Sequence, residues 1–233
     1  MKHAGFKVAI AFTFLLGALT ARAYIPPTSF LLERMADKRT KMDVRRLKVT
    51  MQCKQGSQTP HLEILYLKNT GQVRRERGND IVEICRKGKC WRKQGKAKAT
   101  QLPKWSYLPY LYFVEGNVKG SRYVGLFQSL GIDTKVNTMS RFHSRLAIIL
   151  GAKNWERDRP QFWLDKDLFL PLRLMVKDGP TLMDILWIGW GTKTGGDWFP
   201  EKLEIRADGK TTELCQVIEV KTGVSMPETM FKL

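Results

Sequence analysis

Acid, histidine, cysteine and long apolar runs are all scarce in this chain. Of 233 residues only 22 are Asp or Glu, against 40 Lys or Arg, with three His and four Cys. The few histidines fall in no H-E-x-x-H pattern, and no P-loop, calcium loop or G-x-S-x-G elbow occurs, so the familiar metal-hydrolase, nucleotide and serine-hydrolase signatures are excluded. No internal repeat or low-complexity tract is present, which argues against a solenoid or a disordered tail. After residue 23 no apolar run is long enough to span a membrane, so residues 24–233 read as one soluble domain.

The start of the chain is different. Lys2 and Lys7 precede an apolar run, Val8 to Leu19, which ends at the small-x-small triplet Ala21-Arg22-Ala23. This is the pattern of a secretory signal peptide, residues 1–23, with an uncleaved membrane anchor as the alternative. Export puts the protein in the periplasm. The formal net charge is +18. Such a surface meets lipid headgroups, envelope polyanions or acidic proteins. Inside a cell the partner would be nucleic acid, which export argues against.

An exported chain with four cysteines permits disulfides. In IVEICRKGKCWRK two strands flank a short turn, which sets Cys85 opposite Cys90 within bridging reach. The same register sets Glu83 opposite Arg92 on the face of the bridge and Ile84 opposite Trp91 on the other. The expectation is a polar, bridged outer face and an apolar inner one. Cys53 and Cys215 fall in the first and last strands, and their pairing stays open. C-x4-C matches neither a redox nor a zinc spacing.

The central stretch, QFWLDKDLFLPLRLMVKDGPTLMDILWIGW (Gln161–Trp190), reads as three strands joined at Asp165–Asp167 and Lys177–Pro180. Leu168, Leu170, Leu172, Leu174 and Val176 alternate onto one face, while Phe169, Arg173, Met175 and Lys177 take the other. Met183, Ile185 and Trp187 then share a face, opposite Leu182, Leu186, Ile188 and Trp190. This part of the sheet is apolar on both sides.

Elsewhere, Pro26-Pro27 and a Thr28 or Ser29 cap introduce a helix from Phe30 to about Arg46, with a narrow apolar stripe at Leu31, Met35, Lys38 and Met42. Alternating segments and turn signals give about ten strands. LPKWSYLPYLYFVE (Leu102–Glu115) is aromatic and broken by Pro103 and Pro109, and a short helix from Ser121 to Leu130 follows, stopped by Gly131. The fold class is mainly β with helices (α+β). A strongly curved antiparallel sheet forms an unclosed half-barrel, covered by the N-terminal helix and a central helical lid.

A greasy curved sheet beneath an aromatic cover is the profile of a site for acyl chains, each buried methylene being worth about 0.8 kcal/mol. The expected lining from the sheet is Ile64, Tyr66, Ile84, Trp91, Leu170, Leu172, Leu174 and Trp187. From the lid it is Trp105, Tyr110, Phe113 and Phe127. No catalytic residue, metal site or cofactor is assigned. His143, beside Ser140 and Ser144, reads as a partly exposed strand histidine.

The chain also resembles the periplasmic lipoprotein-carrier superfamily, the LolA/LolB-like outer-membrane lipoprotein-sorting group. The likeness is carried by the leader, by the helix feeding a strand (FLLERMADKRTKMDVRRLKVTMQ), by a W-x-D-x-x-x-x-L-P-x-R-like hairpin at Trp163–Arg173, and by the closing FPEKLEIRADGKTTELCQVIEV. The resemblance implies an apolar cavity for lipoprotein acyl chains or lipid, and ferrying toward the outer membrane. It also implies membrane-bound donor and acceptor proteins and a monomer with no enzymatic role. In that family an arginine near the cavity mouth holds the lid shut, and Arg74, Arg75 and Arg173 are the candidates. The alternative is an envelope regulator on the same scaffold, binding an acidic partner through its basic surface.

Overall fold

The structure, a computed structural model, describes residues 25–42, 45–68, 71–78, 80–86, 88–102, 106–115 and 119–233. The expected leader at 1–23 and Trp105 lie outside them. Helix α1 (Thr28–Lys41) comes first, followed by strands β1 (Arg46–Gln55), β2 (His61–Lys68), β3 (Gln72–Arg77), β4 (Ile81–Arg86), β5 (Lys89–Gln94) and the two-residue β6 (Thr100–Gln101). An insert holds a 3-10 turn (Leu108–Leu111), α2 (Tyr112–Glu115) and α3 (Gly120–Ser129). Then come β7 (Asp133–Phe142), β8 (Arg145–Gly151), β9 (Gln161–Asp165), β10 (Pro171–Asp178), β11 (Thr181–Ile188), β12 (Lys202–Ala207) and β13 (Lys210–Thr222).

All thirteen strands form one sheet in the order β6-β5-β4-β3-β2-β1-β13-β12-β11-β10-β9-β8-β7. Every neighbouring pair is antiparallel. Two meanders therefore run outward from a central seam where β1 meets β13. The sheet does not close on itself, and the fold is an open half-barrel. The insert joins β6 to β7, which are the two free edges. It has to cross from one rim to the other, and so it covers the inner face.

Alternation along each strand assigns the faces. Register carries Val49 to Leu65, Leu65 to Arg75, Arg75 to Glu83 and Glu83 to Arg92. Inward with them come Cys53, Cys85, Cys90 and Cys215, all buried in the main core. The hairpin faces are thus the reverse of the expectation. The Cys85–Cys90 bridge and Glu83–Arg92 look inward, while Ile84 and Trp91 look outward. The reason is continuity. The hairpin must share its face with Val73 and Leu67, and one residue of register exchanges the two sides.

The outer face has its own covers. Over β2–β4, the segment after β13 lays Met226 and Phe231 on Ile84, flanked by Tyr66 and Val82. Over β9–β11, Arg173 donates to both carboxylate oxygens of Asp184 at 2.8 and 2.7 Å and lies 5.3 Å above the Trp163 ring. A flattened ion pair there roofs an apolar face.

Helix α1 differs from its expectation at both ends. Its N-cap is Pro27 with no side-chain cap, and it stops at Lys41 because the chain must extend to pair as β1. Its buried face is Leu31, Leu32, Met35, Ala36 and Arg39. A glycine sets its contact with α3. A Cβ on Gly120 would come within 2.7 Å of the Glu33 backbone, so only glycine allows that approach.

Candidate functional site

The inner face of β9–β11 presents Phe162, Leu172, Leu174, Ile185 and Trp187. Onto it the insert lowers Phe113 from α2 and Tyr123 and Phe127 from α3. Phe113 lies 5.0 Å from Phe162, 5.5 Å from Tyr123 and 6.4 Å from Trp187, and Phe127 lies 4.9 Å from Phe162. These spacings are those of interacting ring pairs. The apolar inner face is filled by the lid's own rings. Trp187 Nε1 is buried and has no hydrogen-bond partner among the described residues.

Beside this apolar half stands a buried charge cluster. Arg75 projects inward from β3 among Glu63, Glu83 and Glu213, all four buried. Its Nε donates to Glu83 at 2.6 Å, and Nη1 donates to the Tyr107 hydroxyl at 2.7 Å and to Glu213 at 3.1 Å. Tyr107 opens the lid, its hydroxyl donates to Glu213 at 3.1 Å, and its ring lies 5.1 Å from the guanidinium. Arg77 pairs with Glu63 and Arg92 with Glu83, both at 2.7 Å.

Burial works against the charge of Arg75, but Tyr107, Glu213, Glu83 and Glu63 outweigh it and its pKa is raised. Burial likewise opposes ionisation of Glu83, and Arg75 and Arg92 overcome it, holding that carboxyl below its ordinary value. Burial pushes the Tyr107 hydroxyl well up, so it stays a neutral donor. A cleft of about 200 Å³ opens along Arg75, Glu83, Arg92, Leu102, Ser106, Tyr107 and Glu213. Cys53 and Cys215 lie against Glu63 and Glu213. Their sulfurs are joined in a disulfide and the carboxylates are committed to arginines, so this is not a thiolate metal set.

A second arginine ties the lid from α1. Arg39 is fully buried. It donates through Nε to the Val114 carbonyl at 2.8 Å and through Nη2 to the same oxygen. It also donates to the carbonyls of Asp197 (2.5 Å) and Trp198 (2.8 Å). Its guanidinium lies 5.4 Å from the Trp190 ring. Burial lowers its pKa to about 10, partly offset by Tyr123 and Asp197, which leaves it charged at neutral pH.

Of the expected lining residues, Leu170, Leu172, Leu174, Trp187, Phe113 and Phe127 join one core, with Tyr110 packed against it. Ile64, Tyr66, Ile84 and Trp91 do not. They lie on the outer face, alternate to Leu65, Leu67, Glu83 and Cys90. Of the three candidate arginines, only Arg75 faces inward to the lid. Arg74 reaches Glu76 and the Met230 carbonyl outside, and Arg173 pairs with Asp184 outside. Arg39 was missed. Its signal was available at one and two turns beyond Met35 and Leu32, where helical spacing puts it on the buried stripe.

Removing the Tyr107 hydroxyl should loosen the lid without unfolding the sheet. Tyr107→Phe is expected to lower stability by about 1.5–3 kcal/mol and to speed hydrogen exchange across 107–115 far more than in β9–β11. Equal acceleration in both segments would show that the hydroxyl is not a local tie.

No protein-family model matches the sequence, and no curated protein matches it. Solved structures do match. A LolA superfamily protein from Nitrosomonas europaea aligns at TM-score 0.53 and 10% identity, covering 90% of this chain and 99% of the other. A domain described as an outer membrane lipoprotein-sorting protein, from Vibrio parahaemolyticus, aligns at 0.57 and 13%, covering 86% and 95%. A DUF1329 family protein from Desulfovibrio piger aligns at 0.50 and 13%, covering 89% and 98%. At these identities the likeness is one of fold, and the fold is LolA-like.

Proposed function

We propose that the protein is a periplasmic carrier, exported by the leader at 1–23, that binds the acyl chains of lipoproteins or lipids on its inner face and moves them toward the outer membrane. The observation that carries this is the way the inner face is covered. An aromatic and aliphatic surface is closed by a separate insert, and polar ties at Arg75–Tyr107 and Arg39–Val114 hold that insert at two points. Those ties act beside the apolar packing of Phe113, Tyr123 and Phe127, and a guest that replaces that packing leaves the two polar ties as what keeps the cover shut. The fold shared with a lipoprotein-sorting domain supports the same reading.

The energetics allow exchange of lid for guest. Lifting the lid re-exposes Leu108, Leu111, Phe113, Val114, Tyr123 and Phe127 at roughly 1.5–3 kcal/mol each, and a chain of about fourteen methylenes gains about 11 kcal/mol on leaving water, so the two sides are of similar size. Trp187 Nε1, a buried donor left unpaired, would find an acceptor in the carbonyl of an acyl ester. In this reading Phe113, Phe127, Leu172, Leu174 and Trp187 make the site, and Arg75 and Arg39 hold the closed state.

The test is native mass spectrometry of the protein purified from envelope extracts, with uptake of a fluorescent fatty-acyl probe measured in parallel. Co-purifying lipid is expected, and Phe113→Asp should reduce probe uptake by about tenfold or more. A protein that is empty under every mild condition, takes up no probe and captures an acidic protein in a salt-sensitive manner would replace the carrier with the regulator.

A further inference from the structure

Sulfur and carboxylate meet at the seam. Cys53 of β1 faces Cys215 of β13 in register, and Glu213 stands two residues before Cys215 on the same face. His61 of β2 pairs with Cys53, so Glu63, two residues on, turns inward beside them. One ligand atom from each of Cys53, Cys215, Glu63 and Glu213 lies within 4.8 Å of the other three, and all four side chains are buried. In the oxidised protein the two sulfurs are bonded to each other, and neither is a ligand. Glu63 nevertheless keeps an unused oxygen. Its Oε1 lies 2.7 Å from His61 Nε2 and accepts from Arg77 at 2.7 Å. Its Oε2 is buried and accepts no hydrogen bond among the described residues, with the Arg75 guanidinium 3.6 Å away. Glu213 Oε1 lies 3.6 Å from Cys215 Sγ. A buried acceptor left without a donor costs about 1–3 kcal/mol, and this one belongs to a carboxylate of the four-residue set.

We infer that the reduced protein holds a divalent cation of the zinc class at this set, with Cys53 and Cys215 as thiolates and Glu63 and Glu213 as oxygen ligands, and that oxidation exchanges the ion for the disulfide. Charge selects the ion. Arg75, Arg77 and Arg92 balance Glu63, Glu83 and Glu213, so the cluster is neutral around the disulfide. Two thiolates add two negative charges, and one divalent cation restores the balance, where a monovalent ion leaves a buried charge unpaired. Two sulfur ligands disfavour Mg²⁺ and Ca²⁺, which take oxygen, and suit Zn²⁺. Tetrahedral Zn²⁺ sets neighbouring ligands about 3.4–3.8 Å apart, so the four atoms draw in by about 1 Å. Arg77, Gln55 and Tyr107 bond the carboxylates from behind and orient them. The exchange balances. Ion binding releases the two thiol protons of the newly made chain. An oxidant of the disulfide class then takes two electrons from the bound thiolates, the Cys53–Cys215 bond forms, the ion leaves, and the oxidant departs as two thiols with two protons from water. Until then the ion joins β1, β2 and β13. The site is independent of the carrier reading.

Cobalt(II), a spectroscopic stand-in for zinc, tests the inference in C85A/C90A protein, where Cys53 and Cys215 are the remaining thiols. The protein is unfolded with a dithiol reductant and refolded with Co²⁺ in the absence of oxygen. One Co²⁺ per chain is expected, with a sulfur-to-metal band in the near ultraviolet and the intense visible bands of tetrahedral cobalt. Zn²⁺ should displace it and Mg²⁺ should not. Oxidised glutathione should then release the bound Zn²⁺, read with a zinc-sensitive dye, as the two thiols disappear. Glu63→Gln should weaken binding by about tenfold or more, and its oxidised form, which needs no ion, reports folding separately. Cobalt bound without the sulfur band, or a reduced protein that binds none, would overturn the site. A sulfur band whose affinity ignores both Glu63→Gln and Glu213→Gln would overturn the four-ligand set. Zinc retained after the disulfide has formed would overturn the exchange.

Discussion

Replacing Arg75 by alanine should destabilise the protein by about 3–5 kcal/mol at neutral pH, the loss typical when one partner of a buried charge network is removed. Arg75 is the hub of that network. Glu83 and Glu213 bond it directly, Glu63 lies 3.6 Å away, and Tyr107 adds the link to the lid. Arg75→Lys should fall between the two, because an ammonium cannot reproduce the forked contacts to Glu83 and Tyr107. The sign of the pH effect follows from Glu83. Its folded pKa lies below the ordinary 4.5, so its contribution is fully present above that value and is lost as the pH falls through the folded pKa. In the variant the buried carboxylates have lost their main counter-charge, and protonation relieves them. The gap between wild type and variant should therefore be widest near neutrality and narrow below about pH 4.5. Urea unfolding at pH 7, 5.5 and 4 measures it. A gap that stays constant with pH would mean the loss comes from packing and not from charge.

The two disulfides should differ in weight. Cys53–Cys215 joins β1 to β13 across 162 residues, and Cys85–Cys90 closes only 5. By loop-closure entropy of the unfolded chain, the first is worth about 5 kcal/mol and the second about 2 kcal/mol. All four cysteines are buried in the main core, so alanine pairs leave comparable small vacancies and the comparison isolates the loop term. Denaturation of C53A/C215A against C85A/C90A reads the difference directly. The long bridge spans the seam that holds the two meanders together, so its removal should also lower cooperativity. Equal losses in the two variants would show that the denatured chain is already restrained near the seam.

Much of the fold was legible from local chemistry. Gln72–Arg77 and His61–Lys68 were bounded by their turns and appear as β3 and β2. The hairpin turn at Asp208-Gly209 has positive φ at both residues, as the pair demands. Even the strand expected from Leu168 failed for a local reason. Asp165 Oδ1 accepts from the Asp167 and Leu168 amides, and Phe169 takes a φ of 53°, so the turn runs on and β10 begins at Pro171. Within one strand, alternation separated its two faces without error. It could not say which face looked inward, and at β4–β5 the polar pair Glu83–Arg92 pointed to the wrong answer.

What the sequence determined alone was most of the strands, about ten against the thirteen of the sheet, with their turns, the aromatic insert and the proximity of Cys85 to Cys90, because each depends on residues only a few positions apart. The tertiary structure decided the rest. The seam between β1 and β13 sends the two meanders to opposite rims, and the insert that joins those rims has to lie across the inner face. Facing then follows from register accumulated over the sheet, a long-range quantity that no window of sequence contains. For the same reason Glu213 of β13 and Tyr107 of the insert meet the neighbouring pair Arg75 and Glu83 of β3 and β4.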